Sequence, residues 1–195
     1  MYTYNPSFSL PFAEKERKYR SRDLSEPTLT VLQSREKIVL VLISKAAWRI
    51  SRCHCMESTF EEALHNYAVR SVTCHVPLDE ESTALSSQKE TQKINFTVEH
   101  KNAATKVYLK GESSDLPFAL QGSYLVLAAT TTCIVVQISD LVRGEPLCAL
   151  WGLENARGND EQYCFDMMQQ ICMQPVFDTF IERERCGTRY AEENE

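Results

Sequence analysis

Thiols and imidazoles crowd together twice in this sequence, as Cys53-His54-Cys55 and again as Cys74-His75. These are the donor types that hold zinc. The spacing argues against it. Structural zinc sites bring their thiolates on Cys-x2-Cys knuckles, whereas Cys-x-Cys within a strand puts both sulfurs on one face, and no second knuckle follows. Metal is therefore not expected, and these cysteines read as bridge formers. Nucleophilic chemistry has no better support: there is no Gly-x-Ser-x-Gly elbow, no His-Glu-x-x-His and no Gly-x-Gly-x-x-Gly. With only six glycines, phosphate-cradling loops are not expected either. The acid pairs Glu61-Glu62, Glu80-Glu81 and Glu192-Glu193 read as solvated turns or tail. The chain is expected to be no enzyme and to need no cofactor.

The remaining cysteines, Cys133, Cys148, Cys164, Cys172 and Cys186, fall in the last third and bring the total to eight. An even count fits four disulfides and leaves their connectivity open. Disulfides persist in oxidising compartments, so the expectation is a secreted, extracellular protein. Asn95-Phe96-Thr97 is a glycosylation sequon and agrees; Asn5-Pro6-Ser7 is not one, because proline takes its middle position. Residues 1–30 are aromatic, polar and then strongly charged, without the apolar stretch of a secretory signal. The natural start of an exported protein is expected to lie elsewhere. A net charge of −6 with no basic stripe excludes nucleic acid as a partner. The longest apolar run, Ile38 to Ile43, is strand-sized, far from the about 20 residues that span a bilayer, so no membrane partner is expected.

The elements that must carry these cysteines are mostly strands. At 195 residues one domain is expected, large enough to bury roughly 70% of its unfolded surface. Eight strand candidates run between polar breaks: Lys37–Ser44, Ile50–Ser58, Asn66–Pro77, Gln92–His100, Thr105–Lys110, Ser123–Ala129, Cys133–Ser139 and Pro146–Leu153. Ile94, Phe96 and Val98 share one face of theirs, as do Val107 and Leu109. A helix then starts at Asn159-Asp160-Glu161, with Cys164, Met167, Met168 and Ile171 as its apolar stripe, and stops at Pro175. Residues 176–181 read as a short strand or extended tail. Residues 1–26 are expected as a disordered or loosely packed lead, 27–187 as the folded unit with a short helix beginning at Pro27, and 188–195 as a tail. Eight consecutive antiparallel strands and one helix describe an all-β, up-and-down barrel with a C-terminal helix packed on its wall, wide enough to hold one small ligand.

From about Glu26 to Cys186 the chain resembles the tick salivary lipocalins, the histamine-binding family. The resemblance rests on one frame: Cys133-Ile134-Val135, thirteen residues, Ala149-Leu150-Trp151, twelve residues, Cys164. It implies a bridge from Cys133 to Cys164, one from Cys53 or Cys55 to Cys186, and one from Cys148 to Cys172. The other of Cys53 and Cys55 would pair with Cys74 or stay reduced. In the family's amine-binding members an acid follows the first cysteine and another precedes Leu-Trp; here those positions are Ile134 and Ala149. Burying an ammonium group without a counter-charge costs several kcal/mol, about 3–5 where a buried pair has lost one partner. Both substitutions therefore argue for an apolar, lipid-like mediator over histamine or another amine.

The resemblance also places Trp151 as a pocket residue, with an ordinary core tryptophan as the alternative. Tyr124 is a pocket candidate if its alternation points it inward, and Trp48 if it caps the barrel mouth. Met167 and Met168 are expected to pack the helix on the barrel. The functional expectation is a monomer that sequesters a small host mediator to blunt inflammation or haemostasis. The alternative is a barrel with a filled interior whose surface binds a host immune or coagulation protein. A cavity of at least about 300 Å³ separates the two.

Overall fold

The computed structural model describes residues 22–50, 53–77, 87–111, 122–142, 145–156, 159–180, 183 and 186. Expectations for residues 1–21 and 188–195, and for Glu80, Glu81, Glu192 and Glu193, lie outside them. Eight strands form a ring: β1 (Ile38–Ser44), β2 (His54–Leu64), β3 (Tyr67–Pro77), β4 (Ser87–Lys101), β5 (Ala104–Gly111), β6 (Gly122–Ala129), β7 (Cys133–Val142) and β8 (Glu145–Leu153). Each pairs antiparallel with the next, and β1 closes the ring by pairing with both β8 and β2. A ninth short strand, β9 (Val176–Asp178), takes over the second half of that seam. The first half of β1 pairs with β2 through Ile38 and Val39; its second half pairs with β9 through Leu42, Ile43 and Ser44. Thr179 anchors the junction, its hydroxyl donating to the Leu40 carbonyl.

Two cores explain the hydrophobic patterning. Along β4 and β5, Ile94, Phe96, Val98 and Val107 point into the ring while Asn95, Glu99, Lys106 and Tyr108 meet solvent, so these strands alternate. Strands β1, β7 and β8 are apolar on both faces, because helix α3 (Asn159–Ile171) covers them from outside. Cys164, Met167, Met168 and Ile171 lie on Leu127, Val135 and Leu150, and Met168 and Leu150 are wholly buried. Two disulfides rivet that contact, Cys133–Cys164 and Cys148–Cys172, with Cα separations of 6.4 and 5.9 Å.

One end of the ring is closed by helix α1 (Ser25–Leu32). Its backbone starts on the barrel itself, where the Leu24 N–H donates to Thr105 Oγ1 at 3.0 Å. Leu24, Thr28, Val31 and Leu32 are buried. The boundary expected after residue 26 therefore falls inside a packed helix. Pro27 is tolerated there because the first turn has no intrahelical acceptor for its nitrogen.

Three local departures from the expected pattern have physical causes. β2 begins at His54 rather than Ile50, because Lys45–Ile50 coils into the short helix α2, whose Ala46 and Ala47 favour it. β2 then continues past Ser58 through Glu61 and Glu62, which are exposed strand residues and not the expected turn, and Ser71 donates to Glu61 Oε1 at 2.6 Å. β4 extends back to Ser87 because its ladder with β3 persists as far as Pro77, beneath side chains too polar to signal a strand.

The β4–β5 hairpin turns on Asn102 and Ala103, both left-handed at φ 54° and 57°, the geometry of a two-residue turn that matches strand twist. Cys55 is also left-handed, at φ 50°, beside a register break between His54 and Glu57. The regular alternation that would have set Cys53 and Cys55 on one face is broken there. Cys53 bridges to Cys74, and Cys55 to Cys186, with Cα separations of 5.4 and 6.5 Å.

Candidate functional site

The ring encloses a cavity of about 300 Å³ that runs from Leu32 of the closing helix to Ala47 of α2. It exists because the inward stripes of β1, β5 and β7 are aliphatic residues of moderate size and that of β8 sets Leu147 and the small Ala149 beside Trp151, which leaves the axis unfilled. Trp151 on β8 stands opposite Ile134 on β7 and Leu40 on β1 in the strand register, and Ala149 stands opposite Val136. All five of these side chains line the cavity. The two positions where the resembling family carries acids are thus on its wall, and both are apolar. Tyr124, on β6 opposite Val107, also lines it. Burial raises the pKa of the Tyr124 phenol, so it remains a neutral donor at physiological pH.

Trp48 is not among the lining residues. It lies half-buried on α2, stacked on Phe177 of β9 at 4.6 Å and 7°, and T-shaped against His54 at 4.9 Å and 85°. Successive helical residues point about 100° apart, so Ala47 faces the cavity and its neighbour turns toward β9. Asn95 is exposed on the outer face of β4, away from the cavity. No group of three or more His, Cys, Asp or Glu residues that could hold a metal is found among the described residues. The thiols of the two Cys-His motifs are consumed in disulfides.

The residue that sequence reasoning missed is Arg70. It lies on β3 at the closed end of the cavity, with no solvent exposure. Its five N–H donors are all used: Nε to Ser58 Oγ at 2.9 Å, Nη1 to the Leu32 and Ser34 carbonyls at 2.9 and 2.7 Å, and Nη2 to the Glu36 and Ser58 carbonyls at 2.8 and 3.0 Å. It therefore ties the segment leaving α1 to strands β2 and β3. The Phe60 ring sits beneath the guanidinium at 5.9 Å. Every hydrogen-bond partner is neutral, and among the described residues no carboxylate pairs with it. Burial lowers its pKa to about 10, which leaves it charged at neutral pH. A signal was present: Ala68, Arg70, Val72 and Cys74 share one face of β3, and a single arginine in an apolar stripe marks an inward cation.

The chemistry available to this cavity is narrow. Its wall is aliphatic and aromatic; among the described residues its neutral polar groups are the Ser58 hydroxyl, the Tyr124 hydroxyl and the Trp151 indole N–H, and its one charged group is the Arg70 cation. Among the described residues no carboxylate lines it.

An eight-stranded antiparallel ring with a helix on its wall and an enclosed cavity is a lipocalin-like barrel. Among solved structures, the chain is similar to Japanin from Rhipicephalus appendiculatus, solved bound to cholesterol. That match has a TM-score of 0.54 at 14% identity and covers 76% of this chain and 93% of that one. No protein-family profile matches the sequence, and no curated protein does.

Proposed function

We propose that this chain is a secreted ligand-binding lipocalin of the tick salivary kind, which captures a small apolar, lipid-like host mediator inside its barrel. The observation that carries this reading is the cavity: about 300 Å³, walled mostly by apolar side chains and, among the described residues, lined by no carboxylate. An ammonium group placed there would lose its hydration, find no counter-charge and lie in the field of Arg70. A lipid chain meets none of these costs. Burying about 300 Å² of its surface at about 25 cal/mol/Å² offers about 7 kcal/mol before association costs, enough for micromolar binding. The fold shared with a cholesterol-bound tick protein supports the same ligand class. Four disulfides suit the extracellular space and favour a pre-formed cavity, which lowers the ordering cost of binding. The mechanism is capture without chemistry: the mediator is withdrawn from its receptor.

The test is native mass spectrometry of protein secreted from eukaryotic cells, alongside calorimetric titration with histamine. A co-purified lipid and no heat with histamine are expected. Sub-micromolar histamine binding would overturn the assignment.

A further inference from the structure

We infer that the cavity takes its ligand headgroup-first, with a negatively charged head seated at the closed end on Ser58 and Arg70. This rests on the lipid-binding reading above and names the headgroup that reading leaves open. Two independent observations point to it. The first is the charge of Arg70: a fully buried guanidinium whose five hydrogen bonds all end on neutral oxygens, in a cavity that among the described residues has no carboxylate on its wall. Buried cations are normally matched by an anion. Here the side that remains for one is the cavity.

The second observation is Ser58. It is 4% exposed and lines the same end of the cavity. Its oxygen accepts from Arg70 Nε, which leaves the hydroxyl hydrogen to donate elsewhere. Among the described residues it has no acceptor. A hydroxyl that accepts from a guanidinium is polarised toward donating, and the group it can serve is an acceptor inside the cavity. The guanidinium's own donors are saturated, so an anion gains from it mainly by Coulomb attraction and takes its directed hydrogen bond from Ser58. At the opposite end the lining is the apolar trio Ile43, Ala47 and Leu147, which suits the tail.

The experiment uses three probes with one twelve-carbon chain, below their micelle-forming concentrations: the carboxylic acid, its methyl ester and the primary amine. Binding is followed by Trp fluorescence at pH 7.5. The acid is expected to bind at least tenfold tighter than the amine, with the ester between them. Ser58→Ala is expected to weaken the acid about fivefold and leave the amine unchanged, with the variant's melting temperature reported beside it. Three probes binding within twofold of one another, or the amine binding tightest, would overturn the headgroup assignment and leave lipid capture standing. If none of the three binds, lipid capture itself is refuted.

Discussion

Replacing Arg70 by methionine isolates what its hydrogen bonds do for the fold. Methionine fills a similar volume and needs no partner, so the variant removes five hydrogen bonds and one buried charge together. The Ser34 and Glu36 carbonyls are part-buried and can turn to water, so their loss costs little. The Leu32 and Ser58 carbonyls are in buried contacts and stay dry. Each orphaned acceptor costs about 1–3 kcal/mol, or about 2–6 together. Relief of the desolvated charge and the apolar gain of methionine offset about 2 kcal/mol of this. The net loss falls in the range of about 0–4 kcal/mol with its centre at about 2 kcal/mol, and at about 2–4 °C per kcal/mol that central value lowers the melting temperature by about 4–8 °C. Thermal unfolding followed by circular dichroism under non-reducing conditions measures it. Hydrogen exchange should show the loss concentrated in Ser25–Leu32, which Arg70 holds to the barrel. A melting temperature unchanged or raised would refute the view that this cation is a structural hub.

Alkylation without reduction followed by intact mass measurement should label none of the eight cysteines. Among the bridges, removing Cys55–Cys186 by paired serine substitution should cost more than removing Cys53–Cys74. Their sequence separations are 131 and 21, for which chain entropy gives about 5 against about 3 kcal/mol; denaturant midpoints order them. Asn95, exposed mid-strand, should carry a glycan in protein from eukaryotic cells, and enzymatic deglycosylation should restore the peptide mass. Hydrogen bonds from Ser25, with a smaller contribution from His100, hold the Asp23 carboxyl below its ordinary 3.8. Its contribution is therefore present above about pH 4 and lost as pH falls further; Asp23→Asn should flatten that part of the acid-unfolding curve.

The barrel was legible because its strands obey simple rules. β4, β5, β7 and β8 alternate or run apolar between clear breaks, and the helix carries its stripe at textual spacing from Cys164 to Ile171. What sequence reasoning placed poorly lies where local rules conflict. Ile50 reads as a strand opener, but the preceding alanines draw it into α2, and this moves Trp48 off the cavity. The split of Cys53 from Cys55 depends on one left-handed residue that is not glycine, which no propensity predicts. Ile134, Ala149 and Trp151 could be placed by the frame they share. Arg70 was overlooked because an arginine in a strand normally reads as surface, and only its apolar neighbours two residues either side contradict this.

The seam of the barrel is stitched by the two ends of its sequence order. β1 is made early, yet half of one edge stays open until Val176–Asp178 arrives, and Cys55 waits for Cys186. During synthesis a nascent chain emerges from the ribosome with eight strands able to pair and an unzipped border. That border is a sticky template for a neighbouring polypeptide, so crowded translation would favour strand exchange between copies unless a chaperone guards the gap.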